Sequence, residues 1–289
     1  MEIQLVNNEN NIFRFLKDDF NYIDFCPKRG GLVTDWTLYG KKILYFDQNR
    51  FLDRSLSIRG GIPILFPICG SVDKGLSISG KNYPLLPQHG FARDMSWQYK
   101  LNNEKESLQL SLNDNEFTQK YYPFSFEIKI DIMINLNFLI YEVEIFNYSN
   151  NQMPISFGLH PYFNISDFKN IKFQDYPLVC IDQKRNNLQL TADFLRNVNK
   201  GIDLLMYSSD PLSFTDYILG RKITLINPYP FNINVIWSDP PRKMICIEPW
   251  TSPRNSLING LRKILIPSHS SKSFKASIIV DDIDKNLDK

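Results

Sequence analysis

Phe124-Ser125-Phe126-Glu127-Ile128-Lys129-Ile130-Asp131-Ile132-Met133-Ile134 is the stretch whose reading decides the fold class. Apolar side chains hold every even position from Phe124 to Ile134, and Ser125, Glu127, Lys129 and Asp131 alternate with them. Successive side chains of a strand point to opposite faces, so a period of two predicts a strand with one face buried and one wetted. Asn135-Leu136-Asn137 reads as a turn. Beyond it Leu139, Tyr141, Val143 and Ile145 recur at the same spacing, with Glu142 and Glu144 on the other face. The pair reads as one long hairpin.

Working outward, the same period returns at Ile233, Val235 and Trp237, and again at Phe274, Ala276, Ile278 and Val280. Shorter strands are expected at Ile3–Val6, Ile12–Leu16, Leu32–Leu38, Lys42–Tyr45, Leu108–Leu112 and Lys222–Ile226. No long segment has a helical period. A short helix over Ala192–Leu195, capped by Thr191, is the one helix expected. Many short strands separated by turn residues predict an all-β, antiparallel sandwich. No linker or composition shift divides the chain, so a single domain over 1–289 is expected, with a frayed, charged tail at 282–289.

Composition removes several function classes. The chain has 289 residues, 43% hydrophobic and 22% charged, with a net charge of +2. That charge is too small, and its Lys and Arg too scattered, for nucleic-acid binding as a main task. The polar start, Met1 to Asn11, does not resemble a signal peptide, and no stretch approaches the ~20 apolar residues of a membrane helix. Cys26, Cys69, Cys180 and Cys246 form no CxxC pair and match no common zinc spacing, which reads as free thiols in a cytoplasmic protein. Asn147-Tyr148-Ser149 and Asn164-Ile165-Ser166 fit the glycosylation triplet but carry little weight without a secretion signal. A monomer or weak dimer, with no nucleic-acid or membrane partner, is the expected state.

Two segments break the alternation. Arg59–Gly70 and Pro84–Arg93 are rich in Gly and Pro yet strongly apolar. A loop that enters a core has to find partners for its backbone, and such loops often shape a cavity. His89 lies in the second, within Gln88-His89-Gly90-Phe91-Ala92-Arg93. His160 lies in Phe157-Gly158-Leu159-His160-Pro161-Tyr162-Phe163. A lone histidine among aromatics is more often a hydrogen-bonded core residue than an acid, and His269, in a Pro/Ser-rich turn, is read as structural. Glu248 ends the apolar run Met244-Ile245-Cys246-Ile247-Glu248-Pro249-Trp250. Burial there would raise its pKa and make it a base usable near neutrality. The competing reading is a glutamate paired with Arg242 or Arg254. Arg59 and Arg93 each adjoin a glycine-containing loop and could present a guanidinium fork to phosphate or vicinal hydroxyls.

Other chemistries find no support. A metal held by His89, His160 and Glu248 is conceivable by residue type, but HxH and HExxH are absent. GxSxG, GxxxxGK and a strand-following GxGxxG are absent as well. Acid/base chemistry with no metal and no cofactor, or plain binding, remains.

Taken together, Arg59-Gly60-Gly61-Ile62-Pro63 with Phe66-Pro67, Gln88-His89-Gly90-Phe91-Ala92-Arg93, Leu159-His160-Pro161-Tyr162-Phe163 and Glu248-Pro249-Trp250 resemble, in order and across most of the chain, the aldose 1-epimerase (galactose mutarotase-like) superfamily. The first two motifs are most similar to its glucose-6-phosphate 1-epimerase branch. The resemblance implies a large antiparallel β-sandwich and an isomerase that interconverts the anomers of an aldohexose or hexose 6-phosphate in carbohydrate metabolism. It implies Glu248 as base and His160 as acid, on opposite sides of the C1–O5 unit, with His89 near the sugar ring oxygen and Arg59 and Arg93 on phosphate or hydroxyls. It also implies a sugar-binding aspartate in a Thr-Asp-Arg segment. Thr215-Asp216-Tyr217 matches it best and makes Asp216 the candidate, with Tyr217 where the family has Arg; Asp203 and Asp210 are the fallbacks. The alternative is a carbohydrate-binding or regulatory protein on the same fold, without catalysis.

Overall fold

A computed structural model of the chain describes residues 1–208 and 210–283. The predicted hairpin is there: Phe126–Asn135 pairs with Phe138–Asn147 without a break, from Phe126 opposite Asn147 to Asn135 opposite Phe138. Leu136 and Asn137 form the two-residue turn between them. Phe126, Ile128, Ile130, Ile132 and Ile134 are buried in the central core, as their period requires. Burial of each such side chain contributes about 1.5–3 kcal/mol, enough to fix which face turns inward.

This hairpin is the middle of an eight-stranded sheet. Its order runs Ile171–Gln174, Leu212–Asp216, Arg221–Ile226, Ser270–Asp282, Phe138–Asn147, Phe126–Asn135, Ser107–Asn113 and Gln98–Asn102. A second eight-stranded sheet runs Asn187–Leu190, Val179–Asp182, Asp203–Tyr207, Ile233–Trp237, Met244–Trp250, Gly158–Leu159 and Ile64–Leu65, with Tyr162–Asn164 also paired to Met244–Trp250. A five-stranded meander over Glu2–Asn7, Ile12–Asp18, Asn21–Cys26, Leu32–Leu38 and Lys41–Lys42 adds a further layer. All the paired strands are antiparallel, and one continuous apolar cluster from Phe15 to Val280 lies between the sheets, so the protein is an all-β sandwich. Among the described residues no helix is long and apolar enough to cross a membrane.

Several local expectations change. Lys42–Tyr45 is a strand only at Lys41–Lys42, followed by single bridges at Leu44 and Phe46. The helix near Ala192 spans Thr191–Leu195, so Thr191 is its first turn and Leu190 takes the cap position without a side-chain bond. Gln48–Leu52 and Glu116–Tyr121 are helices too short to show a period in sequence. Asp281 and Asp282 still pair with Lys222 and Arg221, while residues 284–289 of the expected tail lie outside the described residues. All four cysteines are free and buried. The triplet residue Asn147 is fully buried and gives its amide to the carbonyls of Asn151, Ile266 and Pro267.

Candidate active site

The strand Met244–Trp250 is buried on both faces. Ile245 and Ile247 face the central core, so Cys246, Glu248 and Trp250 share the opposite face. On one side the strand Ile233–Trp237 places Val235 opposite Glu248 and Trp237 opposite Cys246. On the other, Gly158 pairs with Trp250 and Tyr162 with Cys246. That register puts His160 opposite Glu248. Pro161 has no N–H and interrupts the ladder at this point. His160 turns its own N–H to the carbonyl of Pro63, and Tyr162 bonds Gly61. The apolar loop Arg59–Gly70 is therefore a backbone partner for the histidine segment, which satisfies its buried peptide groups.

His160 Nε2 lies 3.3 Å from Glu248 Oε1. Trp250 Nε1 donates to the other carboxyl oxygen at 3.1 Å. The imidazole stacks on Tyr162 at 4.6 Å between ring centroids and meets the edge of Trp237. Burial pushes Glu248 well above the ordinary carboxyl range, and nearby Asp203 adds to it. Burial pushes His160 well below the ordinary imidazole value, and Arg93 and Arg59 add to it. Both directions favour a neutral pair, a carboxylic acid facing an imidazole, over an ion pair.

His89 sits beside them, its ring 5.5 Å from that of His160 and 5.7 Å from that of Trp250. The N–H of Gly70 donates to its Nδ1 at 3.1 Å, and its own N–H returns to the Gly70 carbonyl. Burial, with His160 and the neighbouring arginines, holds His89 neutral. A neutral ring accepting at Nδ1 carries its proton on Nε2, so His89 is a donor there. The loop can close this tightly because Gly90 follows: its φ is +73°, and a Cβ would lie 2.0 Å from the Phe66 carbonyl oxygen. Gly70 does the same for Arg254, whose Cγ would lie 2.3 Å from a Cβ.

Ser57, Arg59, Gln88, His89, Arg93, His160, Tyr162, Asp203, Trp237, Glu248, Trp250 and Arg254 line one cleft. At about 120 Å³ it is smaller than three clefts elsewhere, the largest about 560 Å³. Chemistry, not size, distinguishes it. Arg59 bonds Ser57, lies 3.7 Å from Asp239 and spreads over the Trp237 ring at 5.2 Å. Arg93 is mostly buried, and Asp94, at 3.6 Å, is its ion-pair partner.

Glu248, His160, His89, Arg59 and Arg93 thus line one cleft. Asp216 does not. It is fully buried away from the cleft, where it accepts from Ser166 and from the backbone of Ile218 and Leu219. Asp210 is an exposed turn residue. Asp203, the other fallback, is the aspartate in the cleft, bound by Arg254 at 2.9 Å and Gln183 at 2.7 Å. Arg254 therefore pairs with Asp203, and Arg242 with Asp239 at 2.8 Å, so neither is the ion-pair partner of Glu248. Tyr162, inside the histidine motif, Trp237, at the end of an alternating run, and Arg254, expected only as a competing partner of Glu248, also line the cleft. His269 is exposed and bonds Asn150, as its turn context suggested.

Among the described residues, the converging His, Cys and carboxyl ligand atoms are those of His160, Cys246 and Glu248, all within 4.8 Å.

The aldose 1-epimerase family profile matches residues 20–273. The Slr1438 protein from Synechocystis sp. PCC 6803 has a crystal structure similar to this one at a TM-score of 0.88, with 34% identity over 94% of this chain and 96% of that one. A Salmonella typhimurium protein provisionally named a glucose-6-phosphate 1-epimerase is 26% identical over 220 residues, 74% of this chain and 69% of its own length. A galactose mutarotase-like protein from Clostridium acetobutylicum shares the fold at a TM-score of 0.80 and 19% identity, over 98% of each chain. With the profile spanning all four motifs and most of both sheets, this chain belongs to the aldose 1-epimerase family.

Proposed function

We propose that the protein interconverts the α and β anomers of an aldohexose or hexose 6-phosphate, with Glu248 as base and His160 as acid. The observation that carries this reading is the 3.3 Å contact between His160 Nε2 and Glu248 Oε1 on a cleft that also holds His89, Arg59 and Arg93. Anomer exchange takes a proton from O1 and gives one to the ring oxygen O5. Both oxygens are bonded to C1, so one base toward O1 and one acid toward O5 at the same end of the ring suffice. Ring opening turns the Glu248 carboxylate into the acid and the His160 imidazolium into imidazole. Rotation about C1–C2 exposes the other carbonyl face, and closure reverses both transfers. The pair keeps one proton throughout. Burial favours its neutral form, the form that accompanies the open chain.

Arg93 supports the phosphate version. A mostly buried guanidinium with a carboxylate only at 3.6 Å is incompletely neutralised, and a sugar phosphate would complete it. Binding there would position C1 over the pair. The naming of the Salmonella relative points the same way. Asp203 takes the place proposed for Asp216 as the acceptor for sugar hydroxyls. The reading treats the chain as one unit, which the continuous core supports.

Saturation-transfer NMR on glucose, galactose and glucose 6-phosphate tests it. Wild type should accelerate exchange, and Glu248→Gln or His160→Asn should each lose about 10²–10⁴-fold. Equal kcat/KM for glucose and glucose 6-phosphate would remove the phosphate clamp. Binding of a sugar without acceleration would leave a binding protein on this fold.

A further inference from the structure

Cys246 is a thiol beside the acid/base pair that the proposed mechanism leaves unused. It precedes Glu248 by two on the same strand, so both side chains leave the same face. Its thiol is fully buried, and its hydrogen-bond partner is Met244 Sδ at 3.9 Å. We propose that a thiophilic divalent cation of the Zn²⁺ class binds His160, Cys246 and Glu248 and blocks the cleft reversibly.

The geometry is close to what such an ion needs. Tetrahedral zinc with bonds of about 2.0–2.3 Å spaces its ligand atoms about 3.3–3.8 Å apart. The His160–Glu248 contact of 3.3 Å already has that spacing, and all three ligand atoms lie within 4.8 Å. The sulfur has to close in by about 1 Å to reach it. A thiolate selects Zn²⁺ over Mg²⁺ or Ca²⁺. Thiolate and carboxylate together balance the dication, and the thiol proton and the proton held by the pair leave to solvent.

The surroundings make this an inhibitory site rather than a resident one. A resident zinc site has its histidine held through the second ring nitrogen. Here His160 Nδ1 is buried with no partner among the described residues. Arg59 and Arg93 also add positive charge beside the ring. The ion would occupy the atoms that the proposed reaction uses, so sugar and metal should compete.

The blocking effect rests on the proposed function, but the site itself does not, so a spectroscopic test separates them. Co²⁺ titrated into wild type should give a near-ultraviolet thiolate-to-cobalt charge-transfer band that Zn²⁺ abolishes. Cys246→Ser, nearly isosteric, and Cys246→Ala should lack it while keeping exchange near the wild-type rate. Loss of groups merely behind a ligand weakens metal binding about 10–100-fold, so loss of the ligand should relieve Zn²⁺ inhibition by about 100-fold or more. No band in folded wild type, or equal Zn²⁺ inhibition of wild type and Cys246→Ser, overturns the proposal. A band that depends on Cys246 in a protein that fails to accelerate exchange supports the metal site and removes the function instead.

Discussion

Asp131 and Glu248 are both carboxyl groups on strands, on faces turned away from the central core, and almost equally hidden, at 5% and 2% exposure. They are nonetheless driven in opposite directions. Burial alone would raise Asp131, but Ser107, Lys105, Asn102 and Gln109 all donate to it and hold its carboxyl below the usual range. Glu248 receives one donor, Trp250, and faces an imidazole, so burial wins and its pKa rises. The outer face of the hairpin sheet builds a satisfied, ionised carboxylate; the outer face of the other sheet builds a poised one. What makes a carboxyl a candidate base is depth combined with few donors: Glu248 lies deeper in the protein than Asp131 and has fewer groups to hold its charge.

The largest effect should come from exchanging the two roles. Glu248→Gln should lose about 10²–10⁴-fold in anomer exchange. Asp131→Asn should leave the rate near wild type. An Asp131 variant as damaged in kcat as Glu248→Gln, while still folded by circular dichroism, would end the distinction.

The pH profile should sharpen it next. The reactive form of the Glu248–His160 pair and its neutral form contain the same single proton, so the rate should be flat while the pair holds one. It should fall in acid when the pair gains a second proton, below the ordinary imidazole value of 6.5 because His160 is pushed down. It should fall in alkali when the last proton leaves, above the ordinary carboxyl value of 4.5 because Glu248 is pushed up. Burial moves the two limbs apart, so the expected kcat/KM profile is a plateau rather than a narrow bell. A narrow bell would mean that the cleft is wetter than its burial implies.

The same contrast explains what the sequence could reveal. A period of two is local, so the hairpin at Phe126–Asn147 is readable from Phe124–Ile145, and the sandwich class from the return of that period along the chain. The motifs around His160 and Glu248 are local too, and the two residues they mark line one cleft. Which aspartate reaches the cleft is not local. Asp203 arrives because its strand places it opposite Trp237, and Trp237 lies opposite Cys246. Nothing near residue 203 encodes that register. Asp216, next to a matching Thr215, instead caps the turn that follows it, because Ser166, Ile218 and Leu219 present donors there. Gln48–Leu52 and Thr191–Leu195 span barely more than a turn, too short for a 3.6-residue period to declare itself.

Stability should separate the two carboxyls by sign. Asp131→Asn turns an amide toward donors that need an acceptor and should cost about 1–3 kcal/mol. Glu248→Gln keeps a donor toward His160 and an acceptor for Trp250 while removing a buried acid, and should gain about 0.5–2 kcal/mol, the usual trade against activity. The pH dependence follows. Asp131, with its folded pKa lowered, contributes stability above its unfolded value that is lost as pH falls through the folded one. Glu248, with its folded pKa raised, makes the fold less stable as pH rises from its unfolded value toward the folded one. The gain from Glu248→Gln should therefore be present at neutral pH and vanish in acid. Differential scanning calorimetry across that range checks it, and a gain that grows in acid would contradict the raised pKa.

The smallest expected effect concerns two backbones rather than two carboxyls. Leu136 in the hairpin turn and His89 in the cleft both have left-handed φ, 53° and 64°, where a non-glycine residue is strained. His89 is held there by Gly70, which bonds both its ring and its N–H, so its strain serves the proposed donor geometry. Leu136 is 69% exposed at the first of two turn residues, a position that favours glycine when φ is positive. Its side chain gives little packing in return. Leu136→Gly relieves about 1–2 kcal/mol of left-handed strain, against the greater backbone entropy of glycine in the unfolded chain. The net gain should be a few tenths of a kcal/mol to about 1 kcal/mol, with exchange unchanged. A rise in Tm of about 1–4 °C would fit a turn strained to no purpose. A fall would mean that Leu136 packs on its neighbours more than its exposure suggests, and that strain at a turn, as in the cleft, can be held for a contact.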